Sequence, residues 1–278
     1  IDALRNIDNS DQIKKYLLQN PFIHQYNLNV SSRGERMTNV LSLMYEHNDK
    51  YLKGNNSNKY NVGLRSTTKV FKWLDFNFNG NITVTDTQNN GIDLGTLAEI
   101  SPYQELVDKD GNLVKFYQSL YGPTVQRYFE PLNFPYSDWK YNPIEEMRGH
   151  NNTTNRISLR AQAGLTFHII PGLDFDSKFQ YEMIQAKTKN INDETTFATR
   201  WDINNSSSWD HSTGVITKNR PTGSIMSHSA NQTNAYNWRN QLSFNRGFDD
   251  DRHQVSVVAG TEMSNKVYQT TSYPQVYG

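Results

Sequence analysis

The chain has 278 residues with 28 basic and 28 acidic side chains, so its formal net charge is zero and its isoelectric point is near 7.2. This balance argues against a nucleic-acid partner, which requires a basic surface. The lack of cysteine excludes disulfide scaffolds, thiolate metal sites and cysteine nucleophiles. No apolar run approaches about 18 residues, so no transmembrane helix is predicted.

Residues 1–22 are predicted to hold one short helix. Ser10 is suited to cap its N-terminus, and Asn20–Pro21 ends it. Ile13, Tyr16 and Leu17 share one face of this helix. Four strands are then predicted at 23–32, 36–48, 59–69 and 73–85, connected by a tight turn at 33–35, a polar loop at 49–58 and a turn at 69–72.

The fourth of these strands, 73–85, has the clearest pattern. Its even positions are Leu, Phe, Phe, Gly, Ile and Val, while its odd positions from Asp75 to Thr85 are all polar. Because side chains alternate between the two faces of a strand, one face is apolar and the other is polar. The run extends about 40 Å at about 3.3 Å per residue, enough to cross a bilayer core of about 30 Å at a tilt of about 45°. We therefore interpret it as a transmembrane β-strand.

The rest of the chain repeats this strand between connections that alternate in length. Further strands are predicted at 155–169, 173–187, 232–247 and 253–268, with long loops at about 89–154 and 188–231, turns at 170–172 and 248–252, and an outer loop at 269–278. Outer-membrane barrels have short periplasmic turns and long extracellular loops. The sequence therefore predicts an all-β fold, a transmembrane antiparallel β-barrel with about eight strands in this chain.

Two other arrangements compete with this interpretation. A soluble β-sandwich also has half-buried strands, but these would be shorter and their loops would not alternate short and long. A complete eight-stranded barrel would place both chain ends outside the cell, whereas such barrels normally begin and end in the periplasm. An open sheet would also leave two unpaired edges in lipid. We expect an internal segment of a larger barrel.

Several segments resemble the early barrel of SusC/RagA-type TonB-linked outer-membrane transporters. They are HQYNLNVSSRGER (24–36), NVLSLMY (39–45), KYNVGLRSTT (59–68), KWLDFNFN (72–79) and SPYQELVDKDGNL (101–113). The order of these motifs makes the match specific over about residues 11–115. The paired glycine turn of the family is Arg33–Gly34 here, and the plug, the TonB-contact segment and the C-terminal strands are not in this chain.

This resemblance implies that residues 1–278 are part of one TonB-dependent-receptor barrel domain of 22 strands with a plug. It implies a location in the Gram-negative, Bacteroidetes-like outer membrane and a surface lipoprotein of the SusD type as partner. Energy would come from TonB, and the cargo would be oligosaccharide or, in some members, peptide. No cofactor is implied.

Aromatic side chains in the long loops are the candidate contacts to cargo or partner, because their faces stack on sugar rings or hold peptide side chains. The alternative is that they form a small core that orders the loops, or the surface that meets the lipoprotein. The candidates are Tyr103, Tyr117, Tyr121, Tyr128, Trp139, Tyr141, Trp201 and Trp209.

Polar strand positions are predicted to face the lumen, where they would meet the plug, water or cargo. Those of highest interest are Asp75, Asn77, Asn79, Arg160, Asp174 and Asp176.

No segment predicts catalysis or metal binding. Asp108–Asn112 begins like a calcium loop but lacks the further ligands of an EF-hand, which favours a β-turn. Trp209–Ser212 places Asp, His and Ser side by side, whereas a catalytic triad draws them from separate segments. The seven histidines have no metal-ligand spacing. Three hypotheses follow: an importer, an adhesin or scaffold barrel that binds through its loops, and, least supported, an outer-membrane enzyme.

Overall fold

A computed structural model of the chain describes residues 8–118, 120–248 and 252–278. The strands are β1 (Phe22–Arg33), β2 (Met37–Asp49), β3 (Asn55–Phe71), β4 (Leu74–Asn89), β5 (His150–Ile170), β6 (Leu173–Asn192), β7 (Ser208–Trp209), β8 (Ile216–Thr217), β9 (Ile225–Phe248), β10 (His253–Ser272) and β11 (Val276–Tyr277). Most of the described residues belong to one antiparallel sheet with the order β1-β2-β3-β4-β5-β6-β9-β10, and the short β11 also pairs with β9. The eight predicted long strands are confirmed, and most are longer than predicted.

Five helices lie outside the sheet in the described residues. They are α1 (Ser10–Tyr16), α2 (Leu94–Ala98), α3 (Gly122–Tyr128), α4 (Pro143–Gly149) and α5 (Phe197–Asn205). None of them combines the length and apolarity needed to span a membrane.

The strand register keeps one apolar face and one polar face across the whole sheet. Leu64 pairs with Gly80 and Gly80 with Ala161, while on the other face Arg65 pairs with Asn79 and Asn79 with Gln162. The period-two pattern of each strand is thus in phase with its neighbours, as a buried or lipid-covered face requires. The predicted face assignment holds from β1 to β10.

The apolar face has no protein layer over it in the described part of the chain. On the two edge strands, Leu28 of β1 is 56% exposed and Val257 of β10 is 54% exposed. On the central strand β4, Ile82 is 46% exposed. The only other described sheet is the two-stranded β7–β8 pair. A β-sandwich would cover this face with a second sheet, so that alternative does not fit. Moving one such side chain from water to an apolar medium is worth about 1.5–3 kcal/mol.

The buried core lies beyond one end of the sheet and not on its face. Its members come from the residue that ends α1, the segment after β4, and α4: Leu17, Ile92, Leu97, Ile100, Leu106, Val107 and Ile144. Ile13 and Tyr16 pack against this core, which accounts for the shared helix face predicted for α1.

Short turns join the strands at the opposite end. Gly172 turns β5 into β6 with φ of +88°, and a Cβ there would lie 2.5 Å from the carbonyl oxygen of Asn245, so only glycine fits. The predicted turn at 248–252 falls largely outside the described residues.

Three local predictions were wrong. The residue that precedes α1 is Asn9, not Ser10, and its side chain donates instead to the carbonyl oxygens of Ser101 and Gln104. The polar loop at 49–58 is only 50–54, because Asn-rich residues from Asn55 onward pair with β4. The outer loop at 269–278 is mostly strand, since β10 continues to Ser272 and β11 pairs with the start of β9.

Candidate functional site

Two long connections leave the same end of the sheet and pack together. Loop A, residues 90–149, joins β4 to β5, and loop B, residues 193–224, joins β6 to β9. Loop A carries α2, α3 and α4, and loop B carries α5 and the β7–β8 pair. We call loops A and B together the loop body.

Glu146 on α4 caps the N-terminus of α5 in the other loop. Its carboxylate accepts hydrogen bonds from the backbone N–H of Phe197 at 2.6 Å and of Ala198 at 3.1 Å. The hydroxyl of Thr196 accepts from the N–H of Thr199 at 3.2 Å. The first N–H groups of a helix have no partner within it, and a carboxylate there also complements the helix dipole. Glu146 therefore fixes loop B on loop A.

Arg200 on α5 makes the reverse connection. Its guanidinium is 6% exposed and donates from Nε to the carbonyl oxygen of Asp138 at 3.1 Å and from Nη2 to that of Lys140 at 2.7 Å. A third bond goes to the carbonyl oxygen of Thr195. A buried arginine satisfied by backbone carbonyls holds the main chain of loop A against α5.

Two carboxylates and one lysine complete this charge cluster. The Arg200 guanidinium lies 3.6 Å from Asp138 and 3.8 Å from Glu145, and the Lys115 ammonium lies 2.9 Å and 2.8 Å from the same carboxylates. Burial by itself would raise the pKa of Asp138, but the hydrogen bond from Lys115 and the nearby Arg200 outweigh it and hold that pKa below its usual range. The two cations and the two carboxylates of this cluster thus balance each other.

An aromatic core fills the space between the loops. Trp139 is 6% exposed, with its ring 5.0 Å from Phe134 and 6.1 Å from Trp201 of loop B. Further ring contacts of about the same length join Phe129 to Trp139 and Trp209, Tyr141 to Phe116 and Phe197, and Phe197 to Trp201. Such edge-to-face and offset pairs stabilise the contact beyond their buried area.

The structure separates the predicted aromatic candidates into two groups. Trp139 and Tyr141 are buried in the core just described, and Trp201 and Trp209 contact it. Tyr117 donates from its hydroxyl to Glu130 at 2.6 Å. The three left open to a ligand or partner, with more than half of their surface exposed, are Tyr103, Tyr121 and Tyr128.

The predicted lumen-facing residues all lie on the polar face of the sheet. Asp75, Asn77 and Asn79 are on β4, Arg160 is on β5, and Asp174 and Asp176 are on β6. Register places Asp176 opposite Thr166, which in turn lies opposite Asp75.

Some of these lumen-facing candidates are hydrogen-bonded to neighbours on the same face, and others are not. His168 bridges Asp174 at 2.7 Å and Asp75 at 3.3 Å near the short turns. Arg160 donates to Gln180 at 2.9 Å. By contrast, the amides of Asn77 and Asn79 have no hydrogen-bond partner among the described residues.

The two segments considered for catalysis and metal binding are local turns. Asp108 accepts from the N–H groups of Asp110 and Asn112, which makes the predicted β-turn. Asp210 accepts from the Ser212 hydroxyl at 2.7 Å, whereas the His211 ring packs against Trp209 in a tilted arrangement, so the three do not form a triad. No group of three or more potential metal ligands occurs in the part of the chain that the structure describes.

Sequence reasoning missed the polar residues that hold the loop body together. Asn142 is 1% exposed, accepts from the N–H of Ile144 and donates to the carbonyl oxygens of Leu106 and Val114. The Asn142–Pro143 pair followed by two glutamates is a helix-start signature that could have located α4. Nothing local marks Arg200 as buried.

Comparison with solved structures gives a consistent result. The chain superposes on the RagAB peptide transporter with a TM-score of 0.70 at 12% identity, covering 98% of this chain and 27% of that chain. The RagAB peptide importer in its closed-closed state gives 0.66 at 12% identity, with 96% and 27% covered. Its open-open state gives 0.64 at 11% identity, with 93% and 26% covered.

The chain has the fold of a RagAB barrel segment. It spans about a quarter of the length of the RagAB chains it matches. The likeness confirms the predicted resemblance at the level of fold, and the barrel segment in this chain is an open sheet of eight long strands. Neither a protein-family model nor a curated protein matches the sequence.

Proposed function

We propose that the chain is part of the barrel of an outer-membrane importer. The observation that carries this proposal is the sheet of eight long strands whose apolar face has no protein cover and whose other face is polar. Lipid would remove the apolar face from water, and the polar face would line an aqueous lumen. The fold likeness to transporters supports the same assignment.

The open edges of the sheet support a larger barrel. In the described residues β1 and β10 each pair on one side only. Unpaired backbone groups are not tolerated in lipid, so further strands must complete the ring. We propose a single plugged barrel of 22 strands, energised by TonB through a segment outside this chain.

Peptides or oligosaccharides are the proposed cargo, and a SusD-like lipoprotein is the proposed partner. The similar solved structures are described as peptide transporters, which supports the peptide class. We expect Tyr103, Tyr121 and Tyr128, the exposed aromatics of the loop body, to contact the partner or the cargo. Trp139 and Tyr141 hold the loop body in shape. We propose no enzymatic role and no cofactor.

Uptake by cells tests this function. Cells with the intact gene and cells with the gene deleted are given labelled peptides and labelled oligosaccharides, with and without a protonophore that removes the energy supply of TonB. We expect energy-dependent uptake of one class only in the cells with the intact gene, and co-purification of a lipoprotein with the full-length protein. Unchanged uptake with lost adhesion to surfaces would instead support the adhesin hypothesis.

A further inference from the structure

A notch interrupts the polar face of the sheet at Gly164. In the register, Gly164 of β5 lies between Asn77 of β4 and Lys178 of β6. A Cβ at Gly164 would lie 3.1, 3.9 and 3.8 Å from Cγ, Cδ and Cε of Lys178. The lysine stem therefore lies across the glycine, toward β4. A glycine inside a strand weakens it, and often marks a position where another group approaches closely.

The notch is a cavity of about 350 Å³ with a distinctive set of polar groups. It contains two cations and three side-chain amides, and no carboxylate. The lining residues are Arg65, Ser66, Thr67, Asn77, Phe78, Asn79, Gln162, Gly164 and Lys178.

The polar groups of the notch are unpaired, unlike several of their neighbours on the same face. Within the described residues, neither Arg65 nor Lys178 has an ion-pair partner, and the amide of Gln162 has no hydrogen-bond partner. On either side of the notch, several polar side chains of the same face are paired. Asn61 bonds Asn81 and Thr83, Arg160 bonds Gln180 and Glu182, and Thr166 bonds Asp176.

The two cations approach the notch from opposite sides. Arg65 is on β3 and Lys178 is on β6, so three strand spacings and a register offset of two residues, together about 16 Å, separate their backbones. Both side chains are long enough to reach inward, with the amides of Asn77, Asn79 and Gln162 between them. Two cations that share a cavity repel each other, and an anion between them removes that cost. A carboxylate can accept from the arginine fork, the ammonium and the amides together.

We propose that this notch binds a carboxylate group. The carboxylate comes either from an Asp or Glu of a protein segment inside the barrel or from an acidic cargo. The proposal rests on the proposed function in one respect, because it takes the polar face to line the lumen.

Carbodiimide coupling in the full-length purified protein tests the site directly. The reagent joins a carboxylate to a lysine amine in contact with it, as an amide with loss of water, and mass spectrometry maps the adduct. The added probe is an end-blocked alanine pentapeptide with a central glutamate, with its glutamine counterpart as control. Lys109, in the exposed turn at 108–112, reports unspecific coupling.

Either of two results supports the site and distinguishes the source. An adduct of Lys178 with an Asp or Glu outside residues 8–278 assigns the carboxylate to a protein segment. An adduct with the glutamate probe assigns it to a diffusing ligand. Arg65→Gln should lower the Lys178 adduct about tenfold, since a hydrogen bond to a charged group is lost, and should leave Lys109 unchanged. Gly164→Val, which displaces the lysine stem without changing charge, should act in the same direction.

Other results overturn the proposal. They are a Lys178 yield no higher than that of Lys109, an adduct confined to the strand neighbour Asp176, or a yield unaffected by Arg65→Gln in a protein that assembles normally. Because coupling does not depend on uptake, the two proposals fail separately. Adduct without uptake contradicts the importer function, and uptake without adduct contradicts the notch.

Discussion

Replacing Arg200 with Met should separate the two loops of the loop body while the sheet remains folded. Met fills the space of the arginine stem and adapts to irregular packing. The change removes three hydrogen bonds to the backbone and the cation facing Asp138 and Glu145.

The expected cost follows from the burial of Arg200. Removing one partner of a buried ion pair typically costs about 3–5 kcal/mol. Lys115 remains within 3 Å of both carboxylates, so we expect the lower end of that range, about 3 kcal/mol. Since each 1.4 kcal/mol is a factor of ten, local opening of α5 should become about a hundredfold more frequent.

Amide hydrogen exchange in the full-length protein measures this effect. We expect faster exchange in α5 with unchanged exchange in β4 and β5. Arg127→Met is the matched control, because Arg127 is exposed and its ring contact is only with Tyr128. A change in α5 below about threefold, or an equal change in the control variant, would contradict the role assigned to Arg200.

The remaining predictions concern the faces, the charge cluster and the exposed aromatics. Phe78→Arg should impair barrel assembly, because an arginine that faces the middle of the bilayer costs about 2–4 kcal/mol. Asn77→Arg, on the polar face, should assemble normally, and heat-modifiable gel mobility measures assembly in both variants. The depressed pKa of Asp138 means that its contribution to stability is present above about pH 4 and is lost as the pH falls further. Protease resistance of the loop body should therefore fall below about pH 4, and Asp138→Asn should make that fall smaller. Trp139→Ala should lower the stability of the loop body, measured by protease resistance, by about 3–5 kcal/mol. Tyr121→Ala, at a residue that is 75% exposed, should change that stability by less than about 0.5 kcal/mol and should weaken lipoprotein co-purification. A larger loss of stability in Tyr121→Ala than in Trp139→Ala would contradict the burial assignment.

Most of the sheet could be predicted because its signal is local. In the fourth long strand, five apolar side chains and one glycine alternate with six polar side chains, and no other regular backbone places them on two faces. The prediction was least accurate at strand ends. Residues 55–58 are polar throughout, and pairing with β4 and, from Asn56, with β2 makes them strand.

The loop body could be predicted only as a set of aromatic candidates. The sequence identified the aromatic residues, but it could not show that Trp139 is buried while Tyr121 is exposed. The exposure of each ring depends on which side chains of the other loop pack against it. Trp139 is covered by Phe129 and Phe134 of its own loop and by Trp201, which lies far along the chain in the other loop.

The sequence by itself determined the long strands, their two faces and the alternation of short and long connections, because period-two patterning and turn residues act within a few positions. Only the tertiary structure decided which polar and aromatic side chains hold the loops. Glu146 meets Phe197 across 51 positions, and Asn204 meets Tyr136 across 68. Such contacts depend on where the folded sheet places the two ends of each loop, and no local pattern records that placement.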